Sequence, residues 1–213
     1  MPFKSDREYR RIDVQNIEAR SEENGEKIVE GYATTFDQEY QLYDSADYRV
    51  VEKISRNAFD NTNMEDVIMQ YDHEGRVFAR IKNGTLQLSV DDHGLKIRAN
   101  LGGTEIGRQL YEEISGGYTD KMSFGFTVSE DERTEECDSA TNKTTIHRNI
   151  TGIKKLYDVS AVSIPANDAT EISARSYSDG VIAEAREEIA ALEERKRKIQ
   201  RIRLMMEVQH NDD

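Results

Sequence analysis

Cysteine is nearly absent from this chain. Cys137 is the only one in 213 residues, which excludes an internal disulfide framework and suits a reducing compartment. No apolar run approaches the roughly 20 residues that span a bilayer. The opening Met-Pro-Phe-Lys-Ser-Asp-Arg-Glu lacks the apolar segment of a secretion signal. The expectation is a soluble protein that stays in the cytoplasm where it is made, with no membrane partner. Basic charge is also in deficit, with 29 Lys and Arg against 42 Asp and Glu and a net charge of −13. Proteins that coat nucleic acid depend on cations that neutralise phosphates, so no nucleic-acid partner is expected. Gly-rich phosphate loops and metal-ligand spacings are missing, and His73-Glu74 lacks the second histidine of a zinc-binding helix. No metal and no cofactor are predicted.

What the chain does have is strand periodicity, and it reads as three parts. Residues 1–26 are charged, with little apolar periodicity, and are expected to form a flexible arm. Residues 27–175 carry the pattern of a mainly β domain. Leu86, Leu88 and Val90, then Leu95, Ile97, Ala99 and Leu101, alternate with polar residues on either side of Asp91-Asp92-His93-Gly94, which predicts a β-hairpin. Thr104 is placed to cap a helix through Ile106, Leu110 and Ile114 that Gly116-Gly117 would end. The polar stretch 129–145 predicts a long exposed loop. Residues 176–213 read as a linker and an amphipathic helix, starting near Gly180 behind Ser178 or Asp179, with Ile182, Ala185, Ile189, Leu192, Ile199 and Met206 on one face. The linker is assigned to Asn167–Gly180.

Met122, Phe124, Phe126 and Val128 alternate with Ser123, Gly125 and Thr127. On a strand the large apolar side chains anchor one face, and the other offers a hydroxyl with little bulk around it. Such a serine is either a polar position on a half-buried strand or a nucleophile. A nucleophilic serine needs a base within hydrogen-bond reach, usually a histidine. Of the four histidines, His210 lies near the terminus and His93 in the predicted turn. His73 follows Val67, Met69 and Tyr71 at the end of a short predicted strand, and His147 remains a rival. Acidic neighbours Glu135, Glu136 and Asp138 make Cys137 a poor nucleophile.

Several segments, in this order, resemble the prohead (capsid maturation) protease family of tailed phages. They are Gly31-Tyr32-Ala33, Val51-Glu52-Lys53-Ile54 with Ala58-Phe59, Asp72-His73-Glu74-Gly75-Arg76-Val77-Phe78-Ala79-Arg80, Gly84-Thr85-Leu86 with Asp92-His93-Gly94-Leu95, Met122-Ser123-Phe124-Gly125-Phe126, Leu156-Tyr157-Asp158-Val159-Ser160, and Ile164-Pro165-Ala166-Asn167. The family is similar to the herpesvirus assemblin proteases. The resemblance implies an α+β, mainly β fold, a mostly antiparallel β-barrel flanked by helices, and a serine nucleophile paired with histidine. It implies Ser123 as nucleophile, His73 as base and Asp158 as the group that orients the imidazole. The family pattern has glutamate at position 158, so aspartate is a departure, and the second histidine of the herpesvirus relatives keeps His147 as an alternative. Asp72 is a weaker choice.

The implied function is a serine protease that matures phage procapsids in the host bacterial cytoplasm, inside the procapsid. Its implied substrates are the major capsid protein, through its scaffolding segment, and itself; a homo-oligomer is a further expectation. The oxyanion donors carry no signature in the sequence. Two other classes stay open: a non-enzymatic scaffold that keeps the protease fold, and a β-rich binding module with a coiled-coil tail.

Overall fold

The computed structural model describes residues 7–12, 17–21, 25–162, 177–191, 194–195, 197–199 and 201. The chain divides into two compact units, residues 1–175 and 176–213. In the second unit residues 177–191 form a helix, α2, that is already under way at Tyr177 and takes in Ser178, Asp179 and Gly180. The predicted start near Gly180 is therefore too late. Most of the predicted linker, with Pro165-Ala166-Asn167, and the residues beyond 201, with Met206 and His210, lie outside the described residues.

The first unit is mostly β. Its strands are β1 (Glu8–Ile12), β2 (Ile17–Ser21), β3 (Lys27–Thr35), β4 (Tyr40–Asp44), β5 (Tyr48–Ile54), β6 (Ile68–Tyr71), β7 (Glu74–Arg80), β8 (Leu86–Val90), β9 (Gly94–Asn100), β10 (Lys121–Asp138) and β11 (Lys143–Val162), with one α-helix, α1 (Glu105–Ser115), between β9 and β10. Among the described residues, one sheet runs β1-β10-β11-β5-β4 with β6 and β7 branching from β11, and a four-stranded sheet runs β2-β3-β9-β8. The sheets do not close into the barrel that was expected. One edge of β11 is shared by two parallel neighbours in succession, β5 at residues 144–150 and β6 at 158–161. Each sheet keeps its own end strands, so among the described residues no ladder joins the two.

Local signals read from the sequence explain several of these elements. Val90 pairs with Leu95, and the carboxylate of Asp91 accepts the backbone N–H groups of His93 and Gly94, which closes the β8–β9 turn. Thr104 caps α1, its hydroxyl accepting the N–H of Gly107 at 3.1 Å. Leu110, Tyr111 and Ile114 on that helix join Val29, Ile97, Phe124, Phe126 and Val159 in one core. Burying a side chain the size of Phe124 is worth about 1.5–3 kcal/mol.

Two stretches differ from expectation. Residues 8–12 and 17–21, within the predicted arm, are strands paired with β10 and β3. Most of the predicted loop 129–145 is the far end of a long hairpin, because β10 and β11 stay paired out to Asp138 and Lys143 around a turn that contains Asn142 at φ +56°. The β11 portion is paired on both sides, by β10 and β5, and the β10 portion pairs with β11 on one side with its side chains mostly exposed, an arrangement that polar composition does not oppose.

Candidate active site

The site is built where β10, β11 and β6 lie side by side. Ser123 pairs with Ser160 and Gly125 with Asp158 across the β10–β11 ladder, so all four residues are opposite one another on adjacent strands. On the far side of β11, Asp158 to Ala161 run parallel to Ile68 to Tyr71, and the N–H of Asp72 continues that ladder to the carbonyl of Ala161. Strand β6 thus starts at the level of Asp158 and turns just past the level of Ala161. Tyr71 pairs with Glu74, leaving Asp72 and His73 as a two-residue turn with φ of +48° and +61°. Positive φ at both central positions is the signature of the hairpin turns that match strand twist. A histidine there costs on the order of 1–2 kcal/mol relative to a relaxed backbone. The turn swings the imidazole back over the sheet.

The result is a continuous hydrogen-bonded line. His73 Nε2 lies 2.5 Å from Ser123 Oγ, and His73 Nδ1 lies 2.5 Å from Asp158 Oδ1. With Nδ1–H donating to the carboxylate, the Nε2 lone pair faces the serine hydroxyl. Ser160 steadies the carboxylate by donating from its hydroxyl to Asp158 Oδ1 at 2.9 Å, and it also lies 3.2 Å from His73 Nδ1. Burial alone would raise the pKa of Asp158; the bonds from His73 and Ser160 and the nearby Arg7 guanidinium outweigh it and hold the group below the ordinary carboxylate value. Asp158 is therefore the ionised acceptor a histidine needs.

Residues 15–182 match the caudovirus prohead serine protease family. The chain belongs to that family. Among solved structures it is similar to that titled as the bacteriophage T4 capsid assembly protease, gp21, at 11% identity over 75% of this chain and 96% of that one, with a TM-score of 0.41. No curated protein sequence matches the chain. Ser123, His73 and Asp158 all fall within the matched span, whereas β1 precedes it.

The other candidate residues of this prohead protease lie apart from the line. His147 is on β11 opposite Val51, its Nδ1 3.1 Å from Glu39 Oε1. His93 sits in the β8–β9 turn with its ring edge against Tyr32. Cys137 is exposed near the tip of the β10–β11 hairpin. Among the described residues no cluster of His, Cys, Asp and Glu is arranged to hold a metal ion, and no helix is long and apolar enough to cross a membrane.

One expectation about the strand itself is reversed. Met122, Phe124, Phe126 and Val128 are buried as predicted, but Ser123 is also 0% exposed, so the face with little bulk is covered. The cover comes from β1, where Arg11 pairs with Ser123. The Ser123 hydroxyl donates to the Arg10 carbonyl at 2.9 Å. The Tyr9 ring lies 4.5 Å from the His73 imidazole, and the Arg7 guanidinium bonds Asp158 Oδ2 while lying over Tyr9 and Tyr157. None of Arg7, Tyr9, Arg10 and Arg11 was singled out from the sequence, because nothing local marks Glu8-Tyr9-Arg10-Arg11-Ile12 as a strand that will find β10 more than a hundred positions later. Ser160 had a readable signal: it stands two residues from Asp158 on a strand, hence on the same face.

Proposed function

We propose that this chain is a serine endopeptidase in which Ser123 is the nucleophile, His73 the general base and Asp158 the group that orients and charge-stabilises the imidazole. The observation that carries the reading is the unbroken line from Ser123 Oγ through both ring nitrogens of His73 to Asp158. As Oγ attacks a peptide carbonyl carbon, its proton passes to Nε2 and the carbonyl oxygen takes the negative charge. Collapse of that intermediate returns the proton from Nε2 to the departing amine and leaves an acyl-serine. Water, deprotonated by the same nitrogen, then releases the carboxylic acid and restores the hydroxyl.

Membership of the prohead protease family supports a role in capsid maturation. The substrates we assign are the scaffolding segment of the major capsid protein and the protease itself, cut inside the procapsid in the host cytoplasm. Co-expression with the capsid protein of the same phage tests this. Wild type should shorten the capsid protein by one defined segment, and Ser123→Ala should leave it at full mass. Processing by Ser123→Ala at the wild-type rate would end the nucleophile assignment.

A further inference from the structure

Among the described residues, strand β10 has β11 on one side and, at residues 122–126, only the five-residue β1 on the other. Without β1 this would be an open strand edge running through Ser123, and an open edge is a template for adding an extended peptide by backbone hydrogen bonds. Strand β1 already sits as such a peptide would. It is extended and antiparallel, and the Arg10 carbonyl accepts from the serine hydroxyl at 2.9 Å. That hydroxyl has one proton, and the same oxygen lies 2.5 Å from His73 Nε2. The one proton therefore has two acceptors, and a peptide seated as β1 is competes with the base for it, which favours holding the peptide over cutting it.

The side chain of Arg10 is equally specific. It is 1% exposed and meets Glu52 through two bonds, Nε to Oε1 at 2.7 Å and a terminal nitrogen to Oε2 at 2.9 Å, while a terminal nitrogen also bonds Glu8. Arg148 bonds Glu52, Glu8 and Asp131 from the other side. If β1 leaves, Glu8 and Arg10 go with it, and of these bonds there remain those of Arg148 to Glu52 and Asp131, with the Tyr40 hydroxyl also donating to Glu52. Two carboxylates facing one guanidinium form a site for an incoming cation.

We propose that the β10 edge filled by β1 is the substrate site, which takes an extended peptide with a basic side chain on Glu52 and that residue's carbonyl at Ser123, and that β1 is the chain's own occupant, displaced before substrate enters. This rests on Ser123 being the nucleophile. A protein whose competent form is a minor fraction reacts more slowly by that fraction, so releasing β1 raises reactivity at Ser123.

The test uses the full chain with a site-specific protease recognition sequence inserted after Asp13, folded intact and then cut. The probe is a fluorophosphonate: Oγ attacks phosphorus, fluoride leaves, and the hydroxyl proton passes to His73. Labelling of Ser123 is followed by mass spectrometry at nanomolar protein, where a cut strand dissociates. Cutting should speed labelling at least tenfold, and excess synthetic peptide of residues 1–12 should restore the slow rate, whereas that peptide carrying Arg10→Glu should not. Uncut full-length protein with Arg10→Ala should also label faster than wild type. Equal labelling of Ser123 before and after cutting, with Arg10→Ala unchanged as well, overturns the occupant and leaves the nucleophile standing. Equal slowing by the native and Arg10→Glu peptides overturns the basic subsite. No label on Ser123 in either form, with circular dichroism showing folded protein, removes the nucleophile and this proposal together.

Discussion

A β-carbon on Gly125 would stand 2.3 Å from Oδ2 of Asp158, its partner across the β10–β11 ladder. Oδ2 also receives the Arg7 guanidinium while Oδ1 serves His73, so the carboxylate has no free direction in which to retreat. We expect Gly125→Ala to displace Asp158. A misplacement near 1 Å at a catalytic group costs on the order of 10²-fold in rate, and the added bulk costs about 1–3 kcal/mol of stability. Capsid-protein processing rates and thermal melts check both.

Asp158→Asn keeps the shape of the side chain but removes the charge that fixes the imidazole tautomer. A rate loss on the order of 10³–10⁴-fold is expected, with the fold retained. The folded-state pKa of Asp158 is depressed, so its contribution to stability is fully present above the ordinary carboxylate pKa and is lost as pH falls through the lower folded value. Asp158→Asn should therefore flatten the acid limb of the stability–pH curve. Denaturant melts across acidic pH read this directly, and an unchanged acid limb would contradict it.

Ser160→Ala removes a hydroxyl donor to a buried carboxylate. The bond is charge-assisted, so the loss is about 1–3 kcal/mol. Asp158 then titrates at higher pH, so the acid limb of the stability–pH curve should move upward. Denaturant melts across acidic pH distinguish this from simple destabilisation, which would lower the plateau without moving the limb.

His73 stands at φ +61°, where asparagine is tolerated and β-branched residues are not. Both His73→Asn and His73→Val should abolish processing, because neither supplies a base. They should differ in stability: the valine variant is expected to melt lower than the asparagine variant, by the roughly 1–3 kcal/mol that a strained backbone costs. Equal melting temperatures would show that the turn relaxes without cost.

Beneath β1, Glu52 is fully buried, and its pKa falls to about 2 although burial alone would raise it, because Arg10 and Arg148 supply opposing charge. Removing one member of a buried ion pair costs about 3–5 kcal/mol, so Glu52→Gln should destabilise the fold and loosen β1. Hydrogen exchange of the amides of residues 8–12 should accelerate in that variant more than exchange in β3 or β9. Uniform acceleration would argue that the cluster supports the whole domain and has no special hold on β1.

Periodicity and capping, which are local, were legible in the chain itself. The alternation of residues 122–128 marks a strand, Thr104 marks the start of α1, and Asp91 to Gly94 mark a turn. Ordered family segments singled out Ser123, His73 and Asp158 before any coordinates. Which strands would pair was not legible. The stretch 129–138 is strand because β11 lies against it, and residues 8–12 are strand because β10 offers an edge; both depend on partners distant in sequence, and no neighbouring residue encodes them. The same holds for the cover over Ser123. The ordered family segments pointed to the candidate groups, while the tertiary fold alone set the 2.5 Å contacts across fifty and eighty-five residues and laid β1 over them, because backbone pairing is chosen by the whole chain at once.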